Sequence, residues 1–248
     1  MAKLVGILNI TPDSFSDGNL FLEPAAALRQ AKKLFSAGAS MVDIGAESTR
    51  PGAKALSAEA EWRRLEPVLT PLLELYPGKL SVDTYHPETA AKALALGEVI
   101  INDVTGVNNP AMVTVIARHK ARCVIGHLPG KASDAQAAHQ GQLIDDVRIV
   151  KNDLLAAAEL LRKNSLEQGQ IILDPGIGFG KTAKLNQKLL KFAREVPDYQ
   201  VMVGYSRKRF LGEQRMELAP NLAAGRIAIK AGATYLRVHD VAGHRQLL

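Results

Sequence analysis

Eight short apolar runs divide this chain, and nearly all of them end in a polar or charged residue. Val5–Leu8 ends in Asn9, Met41–Val42 in Asp43, Leu80–Val82 in Asp83, and Val99–Ile101 in Asn102 and Asp103. Cys123–Ile125 leads to His127, Ile171–Leu173 to Asp174, Val201–Val203 to Ser206, and Tyr235–Val238 to His239 and Asp240. Stretches of helical periodicity separate them. Strand, helix, strand connections of this kind make parallel, right-handed crossovers. Eight of them predict an α/β fold, a single (β/α)8 TIM barrel, with its chemistry at the C-terminal face of the strands. The 248 residues match one complete barrel, whose usual size is about 250. No Ser-, Gly- or Pro-rich stretch offers a linker, so residues 1–248 are expected to form one domain.

Composition narrows the class. At 47% hydrophobic the chain can bury a sizeable core. The start, Met-Ala-Lys, is not a signal peptide. No apolar run approaches the roughly 18 residues of a membrane span. The single cysteine, Cys123, excludes an internal disulfide, and its place in the fifth run suits a buried core thiol better than a nucleophile. These features predict a soluble cytoplasmic protein with no membrane partner. The net charge of +6 favours attraction of small anionic substrates. Aromatics are 5% and the basic residues are scattered, so no nucleic-acid partner is expected.

Periodicity places helices at about Pro24–Ser36, Ser57–Tyr76, from Pro87 to near Gly97, from Pro110, Leu143–Asn164, Lys184–Arg194 and Leu222–Gly232. Trp62 falls on the apolar repeat of the second helix, with Leu65, Val68, Leu69, Leu72 and Leu73, and is read as core. Ile10–Leu22 and Gly45–Leu56 have no strong period. Both leave the same rim, where long loops are usually functional lids.

Asp174-Pro175-Gly176-Ile177-Gly178-Phe179-Gly180-Lys181-Thr182 mimics a phosphate-binding loop in its last three residues. The true motif needs a glycine where Pro175 stands. The better reading is a tight turn that aims Asp174 into the site and lets Phe179 lie against a flat ligand; a structural anchor is an equal reading for Asp174. Asp83, Asn102 and Asp174 are expected to reach one cavity. Two carboxylates and an amide can read a ring edge rich in N–H and C=O groups. Metal binding and acid–base chemistry remain open beside that. Ser206-Arg207-Lys208 follows the seventh run. Arg237 and His239, two apart in a strand, point the same way. Cations at strands 7 and 8 fit the recurring phosphate site of barrels. Asn9 is a candidate neutral oxygen ligand for magnesium. His127 has no second His or Cys at metal-ligand spacing, which disfavours zinc. No Ser-His-Asp or Gly-x-Ser-x-Gly arrangement suggests an activated nucleophile.

At these motifs the chain resembles the dihydropteroate synthase family, from about Gly6 to Val241. The segments are Gly6-Ile7-Leu8-Asn9-Ile10-Thr11-Pro12-Asp13-Ser14-Phe15-Ser16-Asp17-Gly18, Asp43-Ile44-Gly45-Ala46-Glu47-Ser48-Thr49-Arg50-Pro51-Gly52, Ser81-Val82-Asp83-Thr84 and Ile101-Asn102-Asp103. Asp174 through Lys181, Ser206-Arg207-Lys208 and Arg237-Val238-His239-Asp240 complete the series. The resemblance implies condensation of 7,8-dihydropterin-6-ylmethyl diphosphate with 4-aminobenzoate, giving 7,8-dihydropteroate and pyrophosphate, with Mg2+. It implies that Asp83, Asn102 and Asp174 bind the pterin, with Lys208 beside its ring. Asn9, Thr49, Arg237 and His239 would face the diphosphate, with Asn9 near magnesium. Phe15, Arg50, Pro51, Phe179 and Ser206 would frame the aminobenzoate. Lys208, Asp83 and Asp174 are the residues expected to carry the chemistry.

Some positions depart from the family pattern. Gly126 and Leu128 stand where methionines often flank the strand-5 histidine, Ala46 and Asn19 where glycines are common, and Tyr205 is bulkier than usual. The chain stops at Leu248, early for a full eighth helix, which sets the expectation of a homodimer in question. Two other readings share the pterin residues: a catalytically silent pterin-binding paralog and a pterin-dependent methyltransferase. The Ser206-Arg207-Lys208 and Thr49-Arg50-Pro51 segments favour the synthase over the methyltransferase.

Overall fold

The structure is a computed structural model that describes residues 1–10, 24–47, 55–129 and 143–248. Phe15, Thr49, Arg50, Pro51 and Asn19 lie outside the described residues. Eight parallel strands close into a barrel in chain order. They are β1 (Lys3–Asn9), β2 (Met41–Gly45), β3 (Leu80–Asp83), β4 (Ile100–Asp103), β5 (Cys123–Gly126), β6 (Ile171–Asp174), β7 (Gln200–Val203) and β8 (Tyr235–Val238). The helices are α1 (Pro24–Ser36), α2 (Ala58–Leu75), α3 (Pro87–Leu96), α4 (Pro110–His119), α5 (Val147–Lys163), α6 (Ala183–Leu189), α7 (Leu218–Lys230) and α8 (Val241–His244).

The barrel has two separate apolar regions. The larger lies between strands and helices and includes Leu4, Leu8, Ile44, Leu65, Leu69 and Cys123. The smaller fills the lumen with Val5, Met41, Ile100, Val124, Ile172, Met202 and Tyr235. Strand side chains alternate between these regions. Two residues further along their strands, the inward direction therefore brings Asp43, Asn102, Asp174 and Arg237 above the apolar plug. Register does the rest: Asn9 stands opposite Gly45, Gly45 opposite Asp83, and Asp83 opposite Asn102.

Helix ends follow local chemistry. The Ser57 hydroxyl accepts from Ala60 N (3.2 Å) and starts α2, which buries Trp62 and Glu61 along with Leu65, Leu69 and Leu72. The expected helix over Leu143–Asn164 begins only at Val147, because the Asp146 carboxylate caps it by accepting from Arg148 N (2.8 Å). The expected Lys184–Arg194 helix is two pieces, α6 and a 3-10 turn at Phe192–Arg194. Helix α7 begins at Leu218, ahead of the expected Leu222, because Pro220 sits in the first turn, where its missing N–H has no helical partner to lose. The eighth helix is short, as expected: α8 passes into a 3-10 turn at Arg245–Leu247. No helix among the described residues is long and apolar enough to cross a membrane.

Candidate active site

A chain of charges crosses the lumen at the C-terminal rim. Arg237 from β8 donates through Nε to Asp43 Oδ2 (2.6 Å) and through Nη2 to Asp83 Oδ2 (2.7 Å). Asn102 from β4 donates its amide to the same Asp43 oxygen (3.0 Å). Asp43 is buried, while Arg237 and Asp83 keep 19% and 22% of their side-chain surface, so the network is anchored inside the barrel and partly open at its rim. Burial raises the Asp83 pKa, and the Asp43 charge adds to that against the pull of Arg237; the carboxyl reaches about 7. Burial works against the Arg237 charge, but Asp43 and Asp83 more than restore it.

Asp174 reaches the rim from β6, and burial raises its pKa despite Lys208 nearby. Its Oδ1 accepts from Gly176 N (2.8 Å), so it both anchors its turn and faces the cation. Gly204, just past the end of β7, lies beside it: an added Cβ there would lie 3.5 Å from Asp174 Oδ2, an ordinary contact. The turn itself requires glycine. Gly176 has φ +62°, and a Cβ on it would come within 2.1 Å of His127 O.

Lys181 shows why the Gly-Lys-Thr ending is not a phosphate cradle. Its ammonium turns inward and donates to His127 O (3.1 Å), Gly176 O (2.8 Å) and Phe179 O (2.9 Å). It is an internal staple that holds the glycine turn against the end of β5. Burial lowers its pKa to about 7, with Lys208 adding to the effect.

Lys208 follows β7 and carries the cation expected beside the ring. Its Nζ donates to Ile177 O and lies 4.6 Å from the Phe179 ring centroid. Burial lowers its pKa to about 8, with Asp174 opposing the fall. Phe179 thus lies beneath the ammonium in this structure. Ser206 is buried next to β8, where its hydroxyl lies 3.0 Å from His239 Nδ1 and accepts from His239 N (3.3 Å). Arg237 and His239 part company: the first crosses to the carboxylates, the second stays with Ser206. Arg209 is exposed, in keeping with solvated charge.

Asn9 closes β1, half-buried and beside Gly45. A neutral amide oxygen at an open rim suits a hard cation that takes its other ligands from diphosphate and water. On donor chemistry, Asn9 fits magnesium.

Two departures from the family pattern have structural explanations. A Cβ on Gly126 would lie 2.8 Å from Val104 Cα, and one on Gly106 would lie 2.9 Å from Gly126 O. The two glycines let the turn after β4 cross directly against β5. Asp103 ties that turn down, accepting from Thr105 N (2.8 Å), Thr105 Oγ1 (2.6 Å) and Val107 N (3.2 Å). Tyr205 points away from the cavity, toward α7 and His244, whose ring centroid is 6.0 Å away. Its bulk is received by Gly225, where a Cβ would meet Tyr205 Oη at 2.5 Å.

Sequence reasoning missed Asp43 as a site residue and Lys181 as the staple. Asp43 carried a signal, since it ends the second apolar run. Lys181 carried none, because the direction of a flexible amine is set by the carbonyls around it.

Residues 5–239 match the model of a family described as pterin binding enzyme. A dihydropteroate synthase of Synechocystis is 38% identical, covering 98% of this chain and 87% of its own length. The structure of Xanthomonas albilineans dihydropteroate synthase with 4-aminobenzoic acid superposes with a TM-score of 0.87 at 36% identity, covering 99% of this chain and 90% of that one. Burkholderia cenocepacia dihydropteroate synthase, complexed with 7,8-dihydropteroate, gives a TM-score of 0.86 at 32% identity, covering 100% and 89%.

Proposed function

The chain belongs to the dihydropteroate synthase family of pterin-binding enzymes, and from that premise we propose that it joins 7,8-dihydropterin-6-ylmethyl diphosphate to 4-aminobenzoate, giving 7,8-dihydropteroate and pyrophosphate. One observation carries the reading to these residues. Asp83, Asn102 and Asp174 stand at one rim with Lys208 and Arg237, as a ring reader and a diphosphate site must.

The roles follow from chemistry. The pterin edge offers N–H donors to the Asp83 and Asp174 carboxylates and meets the Asn102 amide. A ligand lacking those donors leaves buried oxygens unpaired and is rejected. Lys208 covers the ring from the side of Phe179. Departure of diphosphate leaves a cation at the pterin methylene. Asp174 and Asp83 hold the electron-poor ring, and Arg237 and His239 lie toward the leaving group. Asn9 would hold magnesium, which when bound would supply further positive charge to the diphosphate. The nucleophile is the amine of the substrate, so the protein needs none of its own. Ser206 and Phe179, together with Phe15, Arg50 and Pro51, frame the aminobenzoate, and Thr49 faces the diphosphate.

The test mixes protein, the pterin diphosphate, Mg2+ and radiolabelled 4-aminobenzoate. Labelled dihydropteroate with matching pyrophosphate, absent when the metal is chelated, supports the synthase. Folded protein that binds the pterin and makes no product supports the silent paralog.

A further inference from the structure

Beside the barrel mouth lies a second polar cluster that the synthase chemistry does not use. Glu47 follows β2, Glu61 lies in the first turns of α2, and His86 precedes α3. One ligand atom from each lies within 4.8 Å of the others. His86 Nε2 is 3.3 Å from Glu47 Oε2, and the Tyr85 hydroxyl donates to Glu47 Oε1 (2.7 Å).

Glu61 is the unusual member. It is 0% exposed. The Thr84 hydroxyl donates to its Oε2 (2.7 Å), and the Thr89 hydroxyl stands close but donates to Ala58 O (3.3 Å). Oε1 is buried and has no hydrogen-bond partner among the described residues. A buried carboxylate oxygen with nothing to accept from is costly. Burial also pushes the Glu61 pKa up. Among the described residues, the charges that act on it are His86, which lowers its pKa, and Glu47, which raises it.

We propose that Glu47, Glu61 and His86 form a binding site for a divalent transition-metal ion of the Zn2+ class, separate from the magnesium position proposed at Asn9. Two carboxylates and an imidazole are a donor set that such ions accept, with a fourth position left to water. Ligand atoms around a tetrahedral ion with bonds of about 2.1 Å sit about 3.4 Å apart. The His86–Glu47 pair is already at that spacing, and carboxylate rotation at Glu61 closes the remainder. The surroundings have the usual outer support: the Tyr85 hydroxyl holds Glu47 Oε1, away from His86, and the Thr84 hydroxyl holds Glu61 Oε2. His86 keeps 18% of its side-chain surface, which gives the ion a way in.

The experiment titrates the untagged full-length protein with Zn2+ by calorimetry in excess Mg2+, and with Co2+ by visible absorption. Trp62, the sole tryptophan and the neighbour of Glu61, reports Co2+ by fluorescence quenching. The expected result is one equivalent, with Tyr85→Phe weakening it roughly 10-fold and both Glu61→Gln and His86→Gln by more. Should Glu61→Gln fail to fold by circular dichroism, the partly exposed His86→Gln decides. No tight equivalent in the wild-type protein, or one that survives His86→Gln, overturns the site. Condensation activity plays no part in the readout.

Discussion

On the roles proposed for them, Asp83 and Lys208 set the pH range of the reaction. The Asp83 carboxyl, at about 7, must lose its proton to accept from the pterin edge. The Lys208 ammonium, at about 8, must keep its proton to remain a cation. We therefore expect kcat/KM for the pterin diphosphate to rise through about 7 and fall above about 8. Lys208→Arg should abolish the alkaline fall, and rate measurements from acid to alkaline pH check this. The same Asp83 shift has a stability consequence. The folded pKa lies above the unfolded value of 3.8, so the folded state holds more protons between the two. That contribution to stability declines as pH rises across the window. Urea unfolding at both ends should show a smaller change in Asp83→Asn than in the wild type. Lys181 makes a different prediction. Lys181→Met strands two buried carbonyls and a part-buried one, and unfolding should register a loss of about 2–4 kcal/mol. Pyrophosphate affinity should stay near its wild-type value if the staple holds only protein.

At the level of elements, β7, α7 and α8 are fitted together by Tyr205. Gly225→Ala places a Cβ against both Tyr205 Oη and Leu247 Cδ1. We expect it to cost about 1–3 kcal/mol. Tyr205→Phe removes the hydroxyl, which has no hydrogen-bond partner among the described residues, and should return part of that loss in the double variant. Thermal unfolding of the four proteins measures the coupling. The elements also show where periodicity reads well and where it fails. Helix α1 has the expected bounds because Pro24 opens it and the chain turns out at Gly38. The sixth helix is shorter than expected because apolar spacing persists through Leu189, Leu190 and Phe192 while the backbone tightens to 3-10. A hydrophobic pattern reports which side chains are buried, and a 3-10 turn can bury the same ones.

For the whole molecule, the net charge of +6 acts on substrates that are anions. We expect KM for the pterin diphosphate to rise with salt as screening shortens the field, with a weaker effect for singly charged 4-aminobenzoate. Steady-state rates across a salt series test this. The barrel itself was legible because strand ends are a local property: an apolar run stops at a polar residue, and the rim of a closed barrel collects those residues. The strand-end positions of Asp83, Asn102 and Asp174 were read in this way, and the structure brings all three to one rim. Tertiary structure decided who meets whom. Arg237, at the far end of the chain, is paired with Asp43 and Asp83 because β8 closes against β1 and long side chains then cross the lumen. Glu47, Glu61 and His86 meet for a similar reason, since a loop, a helix and a second loop converge only once β2 and β3 are neighbours. Period fixes the direction of a side chain along its own element. Its partner depends on distances through space, and those exist only after the barrel has closed.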